Sequence, residues 1–249
     1  MTNLTLLPGV SAEYVLARLA RAGGNEIASG KFSNPESSAA LAVNCFAWFA
    51  DRPRLLPPFP SLEVGYPASL VDIEYQARFP WAGGRHPWLD AVAITESHLV
   101  GIESKRFEPF RDTKTVFFSA AYTRDKWGDT MGPYKQLCSE LTSGALSFHY
   151  LDAAQLVKHA FGLRTQGVRG GKRPVLVYLY AEPHSIGDRP IAEDSFRQHR
   201  EEVSLFSGRV KGAEVEFHSV SYREWIASWV LCARPVIEHG EAVLKEFAP

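Results

Sequence analysis

Three charged residues stand in a stretch of the sequence that otherwise has the composition of a buried β-hairpin. The segment LDAVAITESHLVGIESKRF spans residues 89–107 and carries Asp90, Glu103 and Lys105 among apolar residues. Carboxylates are ligands that hard divalent cations such as Mg²⁺ prefer, and a lysine ammonium stabilises negative charge that develops in a reaction. These residue types therefore point to metal-assisted chemistry on a negatively charged substrate.

The spacing of the segment predicts that the two acidic residues face each other. If the polar break at residues 95–98 is the hairpin turn, paired residues on the two strands have numbers that sum to 193, and Asp90 lies opposite Glu103. Lys105 shares that face of the sheet because side chains alternate along a strand. Like charges at the roughly 5 Å separation of cross-strand neighbours destabilise a sheet unless something compensates them.

A divalent cation would compensate this repulsion, since Mg²⁺ is usually held by one or two carboxylates together with waters and substrate phosphate. The ion would act as a Lewis acid on a phosphodiester and help to form hydroxide from water, while Lys105 orients that water or stabilises the developing charge. Spacing alone equally fits a second interpretation. In it, Asp90 ends a strand, and Glu103 and Lys105 form an exposed ladder of opposite charges.

Hydrophobic periodicity predicts the elements that would position these residues. Helices are expected over residues 11–22, 39–50, 133–143, 151–161, 193–207 and 236–247. Strands are expected over residues 71–79, 89–95, 99–106, 175–180 and 214–220. Three strands with short links form an antiparallel meander, and a strand reached through a helix is parallel to its neighbour. The expected fold class is α/β, with a mixed sheet flanked by helices.

Several residues predict where these helices begin and end. Asn34 is expected to cap the second helix with Pro35 in its first turn, while Gly23 and Gly162 are expected to end the first and fourth. Ser221 and Glu224 have the spacing of a capping box, and they are expected to begin a further helix.

At this point the sequence resembles the PD-(D/E)XK nuclease superfamily. The resemblance is carried by Pro87-Trp-Leu-Asp90, twelve residues, and then Glu103-Ser-Lys105, although Leu89 stands where the motif has its proline. The order of predicted elements over residues 34–180 is similar to the restriction-endonuclease-like core. The resemblance implies a nuclease domain that spans residues 1–249, with helices and strands added to this core at both ends.

Within the superfamily the chain is most similar to an uncharacterised bacterial group of restriction-endonuclease-like proteins. The similarity is carried by residues 37–46 and by Pro133-Tyr134-x-Gln136. It implies that Asp90, Glu103 and the Ser104 carbonyl bind Mg²⁺, which Mn²⁺ can replace, and that Lys105 activates water. It further implies Glu36 as an extra acidic ligand, Gln136 as a residue that supports the site, and DNA as the substrate.

The composition limits the partners and the cellular location that fit this sequence. The 249 residues carry a net charge of −1, so a nucleic acid would have to be attracted by a local basic surface. The absence of a signal sequence and of an apolar run long enough to span a membrane leads us to expect a cytoplasmic protein of one domain. Cys45, Cys138 and Cys232 are expected to be reduced thiols without chemistry.

Alternatives to this site are weaker. The segment GVRGGKRP, residues 167–174, lacks the spacing of a nucleotide-binding loop, but with Arg164 it forms a basic stretch that could either hold a phosphate backbone or be a solvated turn. A glycosidase would use its carboxyls across a sugar and has no use for Lys105. The main alternative function is a nuclease-like scaffold that binds nucleic acid or a protein without catalysis.

Overall fold

A computed structural model of the chain describes residues 5–22, 30–34, 36–83, 85–124 and 126–249. The strands in these ranges are β1 Leu70–Gln76, β2 Trp88–Ile94, β3 His98–Lys105, β4 Arg173–Tyr180, β5 Ser185–Ile186, β6 Arg189–Pro190 and β7 Glu216–Ser221. The α-helices are α1 Ala12–Ala22, α2 Ser38–Ala47, α3 Glu108–Arg111, α4 Gly132–Ser143, α5 Ala153–Gly170, α6 Glu193–Val210, α7 Tyr222–Ala227 and α8 Arg234–Phe247. None of the helices within the described ranges is long and apolar enough to cross a membrane.

The main sheet has five strands in the order β1-β2-β3-β4-β7. The strands β1, β2 and β3 form an antiparallel meander, while β4 lies parallel to both β3 and β7. The α/β class and the mixed sheet are therefore confirmed. The parallel pairing of β3 with β4 follows from the crossover through α4 and α5, because strands joined by a helical connection run in the same direction.

Apolar residues cover both faces of this sheet. On one face, side chains such as Ala91 and Ile102 pack with residues of α1, α2 and α8. On the other, side chains such as Leu89 and Leu99 pack with residues of α4, α5 and α6. The helix α5 lies directly over β3 and β4. Any charged side chain on that face of β3 must therefore be compensated within the protein.

The N-cap of the second helix lies three residues later than its sequence predicts. Ser37 is its N-cap and accepts a hydrogen bond from the Ala40 N–H, so the expected cap at Asn34 is wrong. The Asn34 side chain instead accepts from the Glu36 N–H, an arrangement typical of a turn. The expectations for Pro35 and Gly23 fall outside the described residues.

The prediction that Gly162 ends a helix is also wrong, since α5 continues to Gly170 and is capped by Gly171 at a φ of 61°. Gly162 is required for packing instead, because a Cβ there would lie 2.6 Å from the Ala77 carbonyl oxygen. The extension of α5 places Arg164 and Arg169 on a helix. Arg164 pairs with Glu214 at 3.1 Å and Arg169 donates to the Phe79 carbonyl, so these arginines act in structural contacts.

Candidate active site

The β2–β3 hairpin carries Asp90 on one strand and Glu103 on the other. Paired residues in this ladder sum to 193, from Ile94 with Leu99 to Ala91 with Ile102, as the sequence predicts. Continued by one step, the same register would set Asp90 opposite Glu103. The ladder of paired residues ends just before that step, at the end of the hairpin where β3 leads into α3.

The Asp90 carboxylate accepts a hydrogen bond from the backbone of the neighbouring strand. Its Oδ2 accepts a hydrogen bond of 2.7 Å from the Ser104 N–H. In an extended strand the N–H and C=O of one residue point to the same side, so the Ser104 carbonyl is also directed toward β2. Asp90 is partly exposed and can therefore be reached from solvent.

Glu103 is held between two nitrogen groups. Its Oε1 accepts a hydrogen bond of 2.5 Å from Lys105 Nζ, and its Oε2 lies 3.1 Å from Nδ1 of His159 on α5. The contact with His159 has the distance of an ion pair but not the angle of a hydrogen bond. Glu103 is 2% exposed, so these two groups, rather than water, compensate its charge.

Burial and neighbouring charges give the three residues different charge states. Burial raises the pKa of the Asp90 carboxyl well above its usual range, and the charge of Glu103 raises it further. Burial opposes ionisation of Glu103 as well, but Lys105 and His159 outweigh it and lower the pKa of Glu103 to about 2. Glu103 is therefore ionised at neutral pH, while the Lys105 charge and the Ser104 N–H only partly offset the rise in the pKa of Asp90.

Lys105 is an ammonium ion in this environment. Its burial would lower the pKa, but Glu103, Glu108 and Asp90 together outweigh burial and raise the pKa of Lys105. A protonated lysine cannot accept a proton from water. The geometry therefore supports a role in charge stabilisation or orientation better than a role as a base.

The donor set suits a hard divalent cation. Asp90 and Glu103 supply two carboxylates and Ser104 a backbone carbonyl, which are the oxygen ligands that Mg²⁺ takes together with water or phosphate. Within the described part of the chain, no group of three or more His, Cys, Asp or Glu is arranged to hold a metal. A metal bound here would therefore depend on two acidic ligands, with the remaining positions left to backbone, water and substrate.

The other two predicted site residues, Glu36 and Gln136, contact residues outside this group. Glu36 accepts from Arg111 at 3.2 Å and from the Gly187 N–H at 2.9 Å. Gln136 is exposed on α4 and donates to Glu140 at 2.9 Å. The structure thus brings Asp90, Glu103, Ser104 and Lys105 together but leaves Glu36 and Gln136 with partners of their own.

Two residues near the site were not predicted from the sequence. His159 contacts Glu103 from α5, and Glu108 lies beyond Lys105, where it accepts from the Ser38 hydroxyl and the Arg106 N–H. The carboxylate of Glu108 adds to the negative charge that keeps Lys105 protonated. Glu108 lies three residues after Lys105, which is a weak sequence signal. His159 lies among apolar residues of a predicted helix, and its partner cannot be read from spacing.

A cavity of about 210 Å³ opens beside Lys105. Lys105, Glu108, Lys114, Gln155 and Tyr178 are among the residues that line it. Gln155 stands one turn before His159 on α5, so the same helix contacts Glu103 and borders the cavity. The cavity gives a polar group of a substrate access to the Lys105 ammonium.

The comparison with known proteins identifies a family for the chain. No curated protein and no solved structure matches the chain. A family model described as restriction endonuclease associating with ARP matches residues 3–240, nearly the whole chain. The expected membership of a restriction-endonuclease-like family is thereby confirmed. Because this match covers nearly the whole chain, the chain belongs to the family of restriction endonucleases associating with ARP.

Proposed function

We propose that the protein is a nuclease that hydrolyses phosphodiester bonds of DNA with Mg²⁺ held by Asp90 and Glu103. The observation that carries this proposal is that the Asp90 carboxylate accepts from the Ser104 N–H, next to Glu103, while the Lys105 ammonium lies 2.5 Å from the Glu103 carboxylate. Membership of a restriction endonuclease family supports the same class of reaction. The finer assignments, namely DNA, Mg²⁺ and the role of each residue, belong to this proposal.

Asp90 and Glu103 have complementary parts in it. Glu103 is already ionised and fixed by Lys105 and His159, so it offers a preorganised anionic ligand. Asp90 is oriented by the Ser104 N–H, and Lys105 only partly offsets the effect of burial on it, so a bound cation would add the missing counter-charge. When bound, Mg²⁺ polarises a phosphodiester oxygen and makes a coordinated water more acidic.

Lys105 stabilises the negative charge that builds up on the phosphate during hydrolysis. Its ammonium lies at the boundary between the buried carboxylates and the cavity, and 16% of its side chain is exposed. A fixed cation in such a low-dielectric setting stabilises a transition state more than a solvated one does. Gln155, which borders the same cavity, is placed to position the phosphate or sugar.

The test combines metal binding with cleavage. Mn²⁺ is titrated calorimetrically into wild type, Asp90→Asn and Glu103→Gln, and each protein is then given single-stranded, duplex and branched DNA with Mg²⁺. We expect both variants to lose Mn²⁺ binding and cleavage. Lys105→Met should bind Mn²⁺ but cleave about 100- to 1000-fold more slowly, the usual cost of removing one charge-stabilising group.

Glu238→Gln is the matched control, because Glu238 is an exposed acid whose visible partner is Arg234 on the same helix. It should behave like wild type in both assays. Undiminished cleavage by Glu103→Gln would refute the proposal. Mn²⁺ binding without cleavage of any DNA by wild type would instead favour the nuclease-like scaffold that binds without catalysis.

A further inference from the structure

An aromatic cleft opens near the candidate active site and has no part in the mechanism proposed above. Its volume is about 500 Å³, and its walls include Phe79, Trp81, Phe117 and Tyr122. The Phe79 ring centroid lies 5.2 Å from that of Trp81 and 5.6 Å from that of Tyr122, so these rings form one aromatic wall. Phe117 is 68% exposed, and a flat ligand could stack on it without disturbing the core.

Positive charge surrounds these rings. Arg85 and Lys158 line the cleft, and the Arg124 guanidinium lies 4.8 Å from the centre of the Trp81 ring. The described residues that line the cleft include no Asp or Glu. Aromatic surfaces flanked by cations suit a ligand that combines flat rings with negative charge, and strands of nucleic acid are bound in this way.

The cleft is connected to the active site by two elements. On α5, Lys158 lines the cleft, while the next residue, His159, contacts Glu103. On the other side, His86 and Pro87 line the cleft and lead directly into β2, whose third residue is Asp90. The cleft is thus lined by residues next in sequence to β2 and to the His159 that contacts Glu103.

We infer that this cleft binds an unpaired base of a DNA strand whose backbone continues to Asp90 and Glu103. The inference rests on the proposed function and adds a substrate class to it. A base inside a duplex is already stacked on both faces, so it cannot stack on Phe117 or Trp81 unless it leaves the helix. The cleft thus selects single-stranded DNA, or DNA with unpaired bases, over a continuous duplex.

Binding measured without cleavage tests this inference. Fluorescence anisotropy with a chelator present would compare a labelled single strand, the duplex of the same sequence, and the same strand with abasic sites. Wild type should bind the single strand most tightly and the abasic strand more weakly. A fluorescent adenine analogue in the strand should be quenched on binding, because its emission falls when the base stacks.

Phe117→Ala is the informative variant, because an exposed ring can be removed with little effect on folding. It should weaken single-strand binding by about 5- to 100-fold, the effect of losing one base–aromatic stack. Phe117→Tyr should restore binding. Leu231→Ala, at a residue that is 95% exposed outside the cleft, should match wild type.

Equal affinity for the intact and abasic strands, or no effect of Phe117→Ala, would overturn the inference. These outcomes are separate from the fate of the nuclease proposal. Cleavage of duplex DNA by wild type without a preference for single strands would overturn the inference and leave the nuclease intact. Quenched single-strand binding that Phe117→Ala abolishes, with no Mg²⁺-dependent cleavage by wild type, would support the cleft and refute catalysis.

Discussion

The Nδ1 atom of His159 lies 3.1 Å from Oε2 of Glu103, which links the crossover helix α5 to the acidic strand β3. The opposite oxygen of the same carboxylate accepts from Lys105, so both ends of Glu103 are held. Replacing a residue that orients a metal ligand often lowers metal affinity substantially. His159 is therefore expected to act as a positioning residue.

His159→Phe should lower Mn²⁺ affinity by about 10- to 100-fold, the range for loss of a group that orients a ligand. The phenyl ring keeps most of the buried volume but cannot partner Glu103. Titration calorimetry measures the affinity, and denaturant unfolding shows whether the fold is kept. His149→Phe, at an exposed histidine, is the control. Unchanged Mn²⁺ affinity in a folded His159→Phe protein would show that Glu103 needs no support from α5.

Substitutions of two glutamines test whether α5 or α4 contributes a side chain to the active site. Gln155→Ala should slow DNA cleavage about 10-fold, as expected for the loss of one hydrogen bond to substrate, because Gln155 lines the cavity at Lys105. Gln136→Ala should leave the rate unchanged, since Gln136 is exposed and donates to Glu140. Initial rates with Mg²⁺ measure both variants. The reverse order of effects would return the supporting role to Gln136, as the family resemblance implies.

The main features of the fold could be predicted because they depend on local patterns. Alternation over residues 71–79 and the polar break at residues 95–98 specify strands and a turn, and the register of the hairpin from Ile94 with Leu99 to Ala91 with Ile102 follows from them. The capping box of Ser221 and Glu224 is likewise present in full. Register and capping involve residues that are close in sequence, so the sequence alone carries the information.

The sequence could not reveal contacts between elements that are distant along the chain. Gly162 has the sequence signature of a helix end, yet it is needed because α5 approaches the Ala77 carbonyl. The contact of His159 with Glu103 depends on the same approach, so spacing could not reveal it. Glu36 has the residue type expected of a ligand, but Arg111 and the Gly187 N–H bind its carboxylate. Residue type alone does not determine which partner a carboxylate takes.

The close approach of α5 to the sheet leads us to predict how two glycine substitutions change stability. Gly162→Ala should lower the free energy of unfolding by about 1–3 kcal/mol, because the new methyl group would lie 2.6 Å from a backbone oxygen. Gly208→Ala on α6 should raise it by about 0.5–1 kcal/mol, since nothing lies within 4 Å and alanine favours a helix. Urea titration of both variants measures the difference. Similar effects at the two glycines would contradict the packing of α5.

The buried histidines predict how stability depends on pH. His239 is buried against Trp48, with Nε2 3.2 Å from the Cys45 carbonyl oxygen. Burial lowers the pKa of His239 to about 4, and burial likewise lowers that of His199 to about 3. In the unfolded chain a histidine has a pKa of about 6.5. Between these values the unfolded state binds more protons, so acid destabilises the folded protein.

The free energy of unfolding should therefore be greatest above about pH 6.5 and fall as the pH decreases toward 4, by at most about 1.4 kcal/mol per pH unit for each histidine. His239→Gln keeps a donor for the Cys45 carbonyl but cannot titrate, so its stability should fall less steeply over this range. Urea unfolding of wild type and variant at a series of pH values gives the two slopes, and His149→Gln at the exposed histidine should keep the wild-type slope. Parallel curves for wild type and His239→Gln would mean that His239 is protonated as easily in the folded protein as in the unfolded chain. Its burial opposes this, because only 4% of the residue is exposed.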